Sequence, residues 1–136
     1  MENLVQDRVS GKKLGEVRVA FSGKNLTGFG GLAAFAEFVK RLRLIELLET
    51  VEIGHVGRLY SRGRLMASLL LGFVVGLDRI SDVARLGRDE VLLRILGWAS
   101  WPVQSTISRF LWRFVDPAVH SLQKVFAAAL ERFRRV

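Results

Sequence analysis

Leu65-Met-Ala-Ser-Leu-Leu-Leu-Gly-Phe-Val-Val-Gly-Leu77 is the longest apolar run of the chain, and its length decides the class of fold. A helix needs about 20 apolar residues to cross a bilayer, and this run stops at thirteen. Leu65, Leu69, Phe73 and Leu77 recur at i+4, with Met66, Leu70 and Val74 beside them, so the helix is apolar nearly all round. Such a helix is packed on several sides in a globular core. The expectation is a buried central helix from Tyr60 or Ser61 to Leu77. Gly72 and Gly76 within it either permit close backbone approach or merely weaken the helix.

Outward from that run the pattern stays helical. Leu32, Phe35, Phe38, Val39 and Leu42 share one side of a helix over 31–42, whose last turn carries Lys40, Arg41 and Arg43, where cations suit the helix dipole. A short helix over 45–51 is broken by Gly54-His-Val-Gly57. Beyond the core run, Ser81 is read as the cap of a short helix to Leu86. Arg88 to Leu96 forms another, closed by Gly97. Asp116-Pro117 opens a last helix bearing Val119, Leu122, Val125, Phe126, Ala129, Leu130 and Phe133. Residues 1–15 read as a loose polar arm, and the alternation of Glu16-Val-Arg-Val-Ala-Phe21 reads as a short strand with no partner. The fold class is mainly α: a small bundle of five to seven helices with a helix-turn-helix-like pair and one short N-terminal strand. The division is an arm at 1–15, a helical DNA-binding-type domain at 16–115 and a C-terminal helix at 116–136.

Composition narrows the partners. The 136 residues carry 21 Lys plus Arg against 13 Asp plus Glu, a formal net charge of +8. Arg outnumbers Lys 16 to 5, and Arg recognises phosphate with a planar, bidentate fork. The excess favours an anionic partner, nucleic acid or an acidic membrane surface; the competing reading is solvated charge. There is no cysteine, which excludes disulfides, thiolate zinc sites and a Cys nucleophile and fits a reducing cytoplasm. The N-terminus lacks the basic-then-apolar pattern of a signal peptide.

The segment Trp101-Pro-Val-Gln-Ser-Thr-Ile-Ser-Arg-Phe-Leu-Trp-Arg-Phe114 carries the functional signal. Pro102 restricts Trp101 to extended geometry, and Ser105 is read as the cap of a new helix. Ile107, Phe110, Leu111 and Phe114 fall at i, i+3, i+4 and i+7, one apolar stripe. The opposite face holds Ser105, Arg109 and Trp112, flanked by Ser108 and Arg113. Ser and Thr, including Thr106, serve phosphates or base edges, and Arg forks onto guanine or phosphate. The DNA-binding candidates are therefore Ser105, Thr106, Ser108, Arg109, Trp112 and Arg113. An ordinary solvated amphipathic face is the competing reading, but such a face seldom carries a Trp without a contact to make.

Catalytic patterns are wanting. His55 and His120 have no second ligand at i+3 or i+4. Asp78 and Asp82 stand at i, i+4, where a two-metal site would need a third carboxylate and a strand scaffold; at helix ends they read as dipole partners. Gly28-Phe-Gly-Gly31 precedes a helix without the Lys-Ser/Thr of a phosphate loop. No catalytic, cofactor or metal residue is assigned in this chain.

Leu26-Thr-Gly-Phe-Gly-Gly-Leu32, Tyr60-Ser-Arg62, Leu71-Gly-Phe-Val-Val-Gly-Leu-Asp-Arg-Ile-Ser-Asp-Val-Ala-Arg-Leu86, Arg88-Asp89, Leu96-Gly97 and Pro102-Val-Gln-Ser-Thr-Ile-Ser-Arg-Phe110 follow in an order that closely resembles the N-terminal region of group-1 DDE transposases of bacterial insertion sequences. The resemblance covers about residues 17–115. It implies a helical DNA-binding region ahead of a ribonuclease-H-like domain with a divalent-metal Asp-Asp-Glu site. The first catalytic Asp of that family would lie beyond Val136, so the resemblance implies a truncated transposase, able at most to bind element ends and self-associate. The last helix is then expected to leave Phe126, Leu130 and Phe133 uncovered. The expected partners are DNA and a second copy, with no membrane and no small-molecule substrate. A helical interaction module without a nucleic-acid role is the alternative.

Overall fold

The computed structural model describes residues 12–14, 17–19, 28–54 and 57–135, with the two N-terminal segments given as backbone. The expected helical bundle is what forms. Its helices are α1 (Leu32–Arg41), α2 (Leu44–Glu49), α3 (Arg62–Val74), α4 (Ile80–Arg85), α5 (Glu90–Leu96), α6 (Gln104–Leu111) and α7 (Asp116–Arg135), with one 3₁₀ turn at Leu86–Arg88. The strand expected near residue 17 is present but has a partner. β2 (Val17–Val19) pairs antiparallel with β1 (Lys12–Leu14), Lys13 opposite Arg18. Lys12–Leu14, within the segment read as a loose arm, is therefore paired strand; residues 1–11, 15–16, Ala20, Phe21 and His55 lie outside the described residues.

Helix α3 is the centre. Ser61 caps it by accepting the Arg64 N–H at 3.3 Å, and Leu65, Met66, Ala67, Leu69 and Leu71 are buried. The one buried polar side chain of the described core, Ser68, donates its hydroxyl to the Leu65 carbonyl at 2.7 Å, which removes the cost of an unpaired buried donor. The two glycines do different things. A Cβ on Gly72 would sit 2.5 Å from Val83 Cγ2, so its smallness lets α4 approach. Gly76 adopts φ +82°, a left-handed turn that other residues resist. The helix thus ends at Val74, not at Leu77; it is packed on several sides as expected, but Phe73 and Val74 in its last turn are exposed.

Helices α2 and α4 flank α3, and α1 packs on α2 and α5. Arg43 breaks α1 from α2 with φ 51°, leaving carbonyls at the α1 C-terminus. Arg132 of α7 answers them, donating from Nη1 to the Leu42 carbonyl at 2.9 Å. Ser121 Oγ of α7 accepts the Glu52 N–H at 2.9 Å; Val125 is buried between these anchors and Ala118 just ahead of them. Helix α7 is thereby fixed to α2 along one edge.

Candidate nucleic-acid interface

Placement of α6 begins with Trp101, not with Ser105. Trp101 is buried and donates Nε1–H to the Val83 carbonyl at 2.9 Å. The Tyr60 hydroxyl donates to the Trp101 carbonyl at 3.0 Å. Trp98 lies against Trp101 with ring centroids 5.2 Å apart, and the Arg64 guanidinium sits 4.9 Å from the Trp98 ring. Gly87 in the 3₁₀ turn backs the Trp101 side chain so closely that a Cβ there would stand 2.5 Å from Trp101 Cβ. The connector between α5 and α6 is therefore clamped rather than slack. After it, Pro102 is buried and Val103 is extended, and the helix starts at once.

The N-cap is accordingly Val103, which supplies no side-chain cap; Ser105 lies inside the first turn. Val83 and the connector set where the chain turns, and that tertiary anchor overrides the local capping preference. The same holds at α4, where the cap is Arg79 and Ser81 lies within the helix. Asp89, by contrast, caps α5 by accepting the Leu92 N–H at 2.9 Å, and Gly97 closes it at φ 68°.

Two of the four stripe residues are fully inside: Ile107 at 0% and Phe110 at 2% exposure. Leu111 and Phe114 are half-buried, and α6 packs chiefly on α4. On the other side Ser105, Arg109, Trp112 and Arg113 are exposed, while Thr106 and Ser108 are half-buried. Arg109 lies along the helix, its Nε donating to the Ser105 carbonyl at 3.2 Å. The helix ends at Leu111, earlier than the pattern implies, so Trp112 is the C-cap and Arg113 sits in the following turn. Trp112 is 86% exposed. Gln104, not among the candidates read from the sequence, joins this face as the exposed first residue of α6. Its signal is the Pro102-Val103 pair: a helix that starts right after Pro and one extended residue brings Gln104 into the first turn.

Among the described residues the carboxylates do not assemble into a catalytic group. Asp82 pairs with Arg85 at 3.1 Å, and His120 Nδ1 hydrogen-bonds the Asp116 carbonyl at 2.8 Å. Among the described residues no three His, Asp or Glu side chains gather where one metal ion could be held. None of the described helices is long and apolar enough to cross a membrane. Comparison with protein families, with curated proteins and with solved structures found no match.

Proposed function

We propose that the chain binds duplex DNA through α6, as the N-terminal DNA-binding part of an insertion-sequence transposase that recognises element ends in the cytoplasm, with no catalytic residue of its own. The observation that carries this reading is Trp112. An indole left 86% open, beside two exposed arginines, is costly as plain surface and well suited to stack on sugar or base. Arg109, one turn after Ser105, has the fork for a guanine edge. Arg113, in the turn after the helix, has the reach of a phosphate contact. The uncapped start of α6 leaves its first backbone N–H groups available to a phosphate.

The test is fluorescence anisotropy of labelled terminal-repeat and unrelated duplexes across a salt series. Arg113→Ala is expected to weaken both duplexes alike and to shallow the log–log salt slope by about one unit. Arg109→Ala is expected to lower affinity by roughly 1–3 kcal/mol on the preferred duplex and to relax preference at one base pair. Folded variants that bind like the parent would leave the second reading, a helical interaction module. That reading has its own support in a large apolar face, and its association would be nearly indifferent to salt.

A further inference from the structure

Helix α7 carries two apolar seams, and the second is only partly covered: Leu122 and Ala129 pack on the core and the Phe133 ring meets Phe38 edge to face at 5.9 Å, while the rest stands open. Ala118, Ser121, Val125 and Arg132 form the edge that docks on α2. About a quarter-turn away, Val119, Leu122, Phe126, Ala129 and Phe133 repeat at spacings of three and four, the a and d positions of a heptad. This second seam borders a groove of about 860 Å³ whose other wall includes Phe35 and Phe38 of α1 and Phe73 and Val74 of α3. Phe126 is 65% exposed, Phe73 65%, Phe133 56% and Phe38 38%. At roughly 200 Å² per aromatic side chain these four alone leave about 450 Å² of ring surface open. With Val74, Val119 and Leu130, each roughly half open, the patch outgrows what monomers usually show. It approaches the roughly 800 Å² per partner of a stable interface.

We propose that this face is covered by the same face of a second copy, in a symmetric dimer with the two α7 helices antiparallel. An isologous interface needs one surface that is both ridge and groove. Here the α7 seam is the ridge, and the trough between it and the α1–α3 wall is the groove. Charge sets the orientation. Arg132, Arg134 and Arg135 crowd the C-terminal end of α7 against Glu131, while Asp116 marks the other end. A parallel pair would press the two basic ends together. An antiparallel pair separates them by about 30 Å, the length of a 20-residue helix, and opposes the helix dipoles favourably. Phe126 is the middle of the seam and falls on the dyad; Val119 of one copy meets Phe133 of the other.

Sedimentation velocity of the full chain from low to high micromolar concentration reads the association. One-chain particles should give way to two-chain particles, with little change between low and high salt. Phe126→Glu, at an exposed position that leaves the fold and the circular-dichroism melt intact, is expected to raise the dimer dissociation constant roughly thirtyfold or more, the weight of one hot-spot residue. The chain has no cysteine, so a single introduced thiol reports pairing under mild oxidation. Phe126→Cys should link to itself; Val119→Cys and Phe133→Cys should link only when the two variants are mixed. A chain that stays monomeric throughout overturns the proposal, as does self-linking by Val119→Cys. Phe126→Glu dimers as tight as the parent's would overturn it too, as would association that appears only with phosphatidylserine vesicles.

Discussion

Gly87→Ala tests the clamp that aims α6. The added methyl would stand 2.5, 2.9 and 3.1 Å from Trp101 Cβ, Cγ and Cδ1, all well inside van der Waals contact. These are not the tip of a flexible chain. Trp101 is held by its Nε1–H bond to Val83, by the Trp98 ring, by the Tyr60 hydroxyl on its carbonyl and by the following Pro102. Overpacking of this kind costs roughly 1–3 kcal/mol. If the indole swings away instead, it loses its hydrogen bond to the Val83 carbonyl and part of its burial, at about 1–3 kcal/mol. Ala in place of Gly in a helical turn gives back up to about 1 kcal/mol. The net expectation is a loss of about 2 kcal/mol, which for a chain of this size lowers the melting temperature by roughly 5–10 °C. Urea unfolding followed by tryptophan fluorescence measures it. An unchanged or raised midpoint would refute the reasoning, because it would mean that Trp101 is free to move.

Other substitutions probe the elements around that clamp. Ile107→Ala, at a side chain with no exposure, should open a cavity and destabilise by roughly 2–5 kcal/mol in the same unfolding assay. Asp89→Ala removes the α5 cap and should lower stability by about 1 kcal/mol, with Asp89→Ser restoring most of it. Gly97→Ala forces a Cβ onto φ 68° and should cost about 1 kcal/mol, whereas Gly30→Ala, at an ordinary φ with open space around it, should be nearly neutral.

The helical class, the element order and the buried side of α6 are legible in the sequence because they rest on periodicity. Ile107 and Phe110 announce themselves by spacing alone, and burial follows from spacing once a helix has anything to pack on. Helix ends are another matter. Ser105 and Ser81 look like caps because short-range chemistry favours them there. The actual starts at Val103 and Arg79 are imposed by contacts distant in sequence, Trp101 on Val83 among them. Gly87 shows the limit plainly. Its neighbours along the chain mark it as a turn residue, and nothing local says that an indole fourteen positions later will rest on it. The candidate face was legible as residue types, but how far Trp112 stands open depended on α6 ending at Leu111. The exposure of Phe126, Leu130 and Phe133 follows the sequence expectation. That of Phe73 does not, because Gly76 ends α3 early and Phe73 falls in its last turn.

The central claim, that the α6 face meets DNA, is tested most directly on Trp112 itself. Trp101 is buried and Trp98 is half-buried, so acrylamide quenching of the chain's fluorescence reports mainly on Trp112. Saturating duplex DNA at low salt is expected to shield that indole and cut the quenching constant several-fold, an effect absent from Trp112→Phe and reversed at high salt. Unaltered quenching of the parent chain at DNA concentrations where anisotropy shows it bound would contradict the account, since the DNA would then lie on some other face.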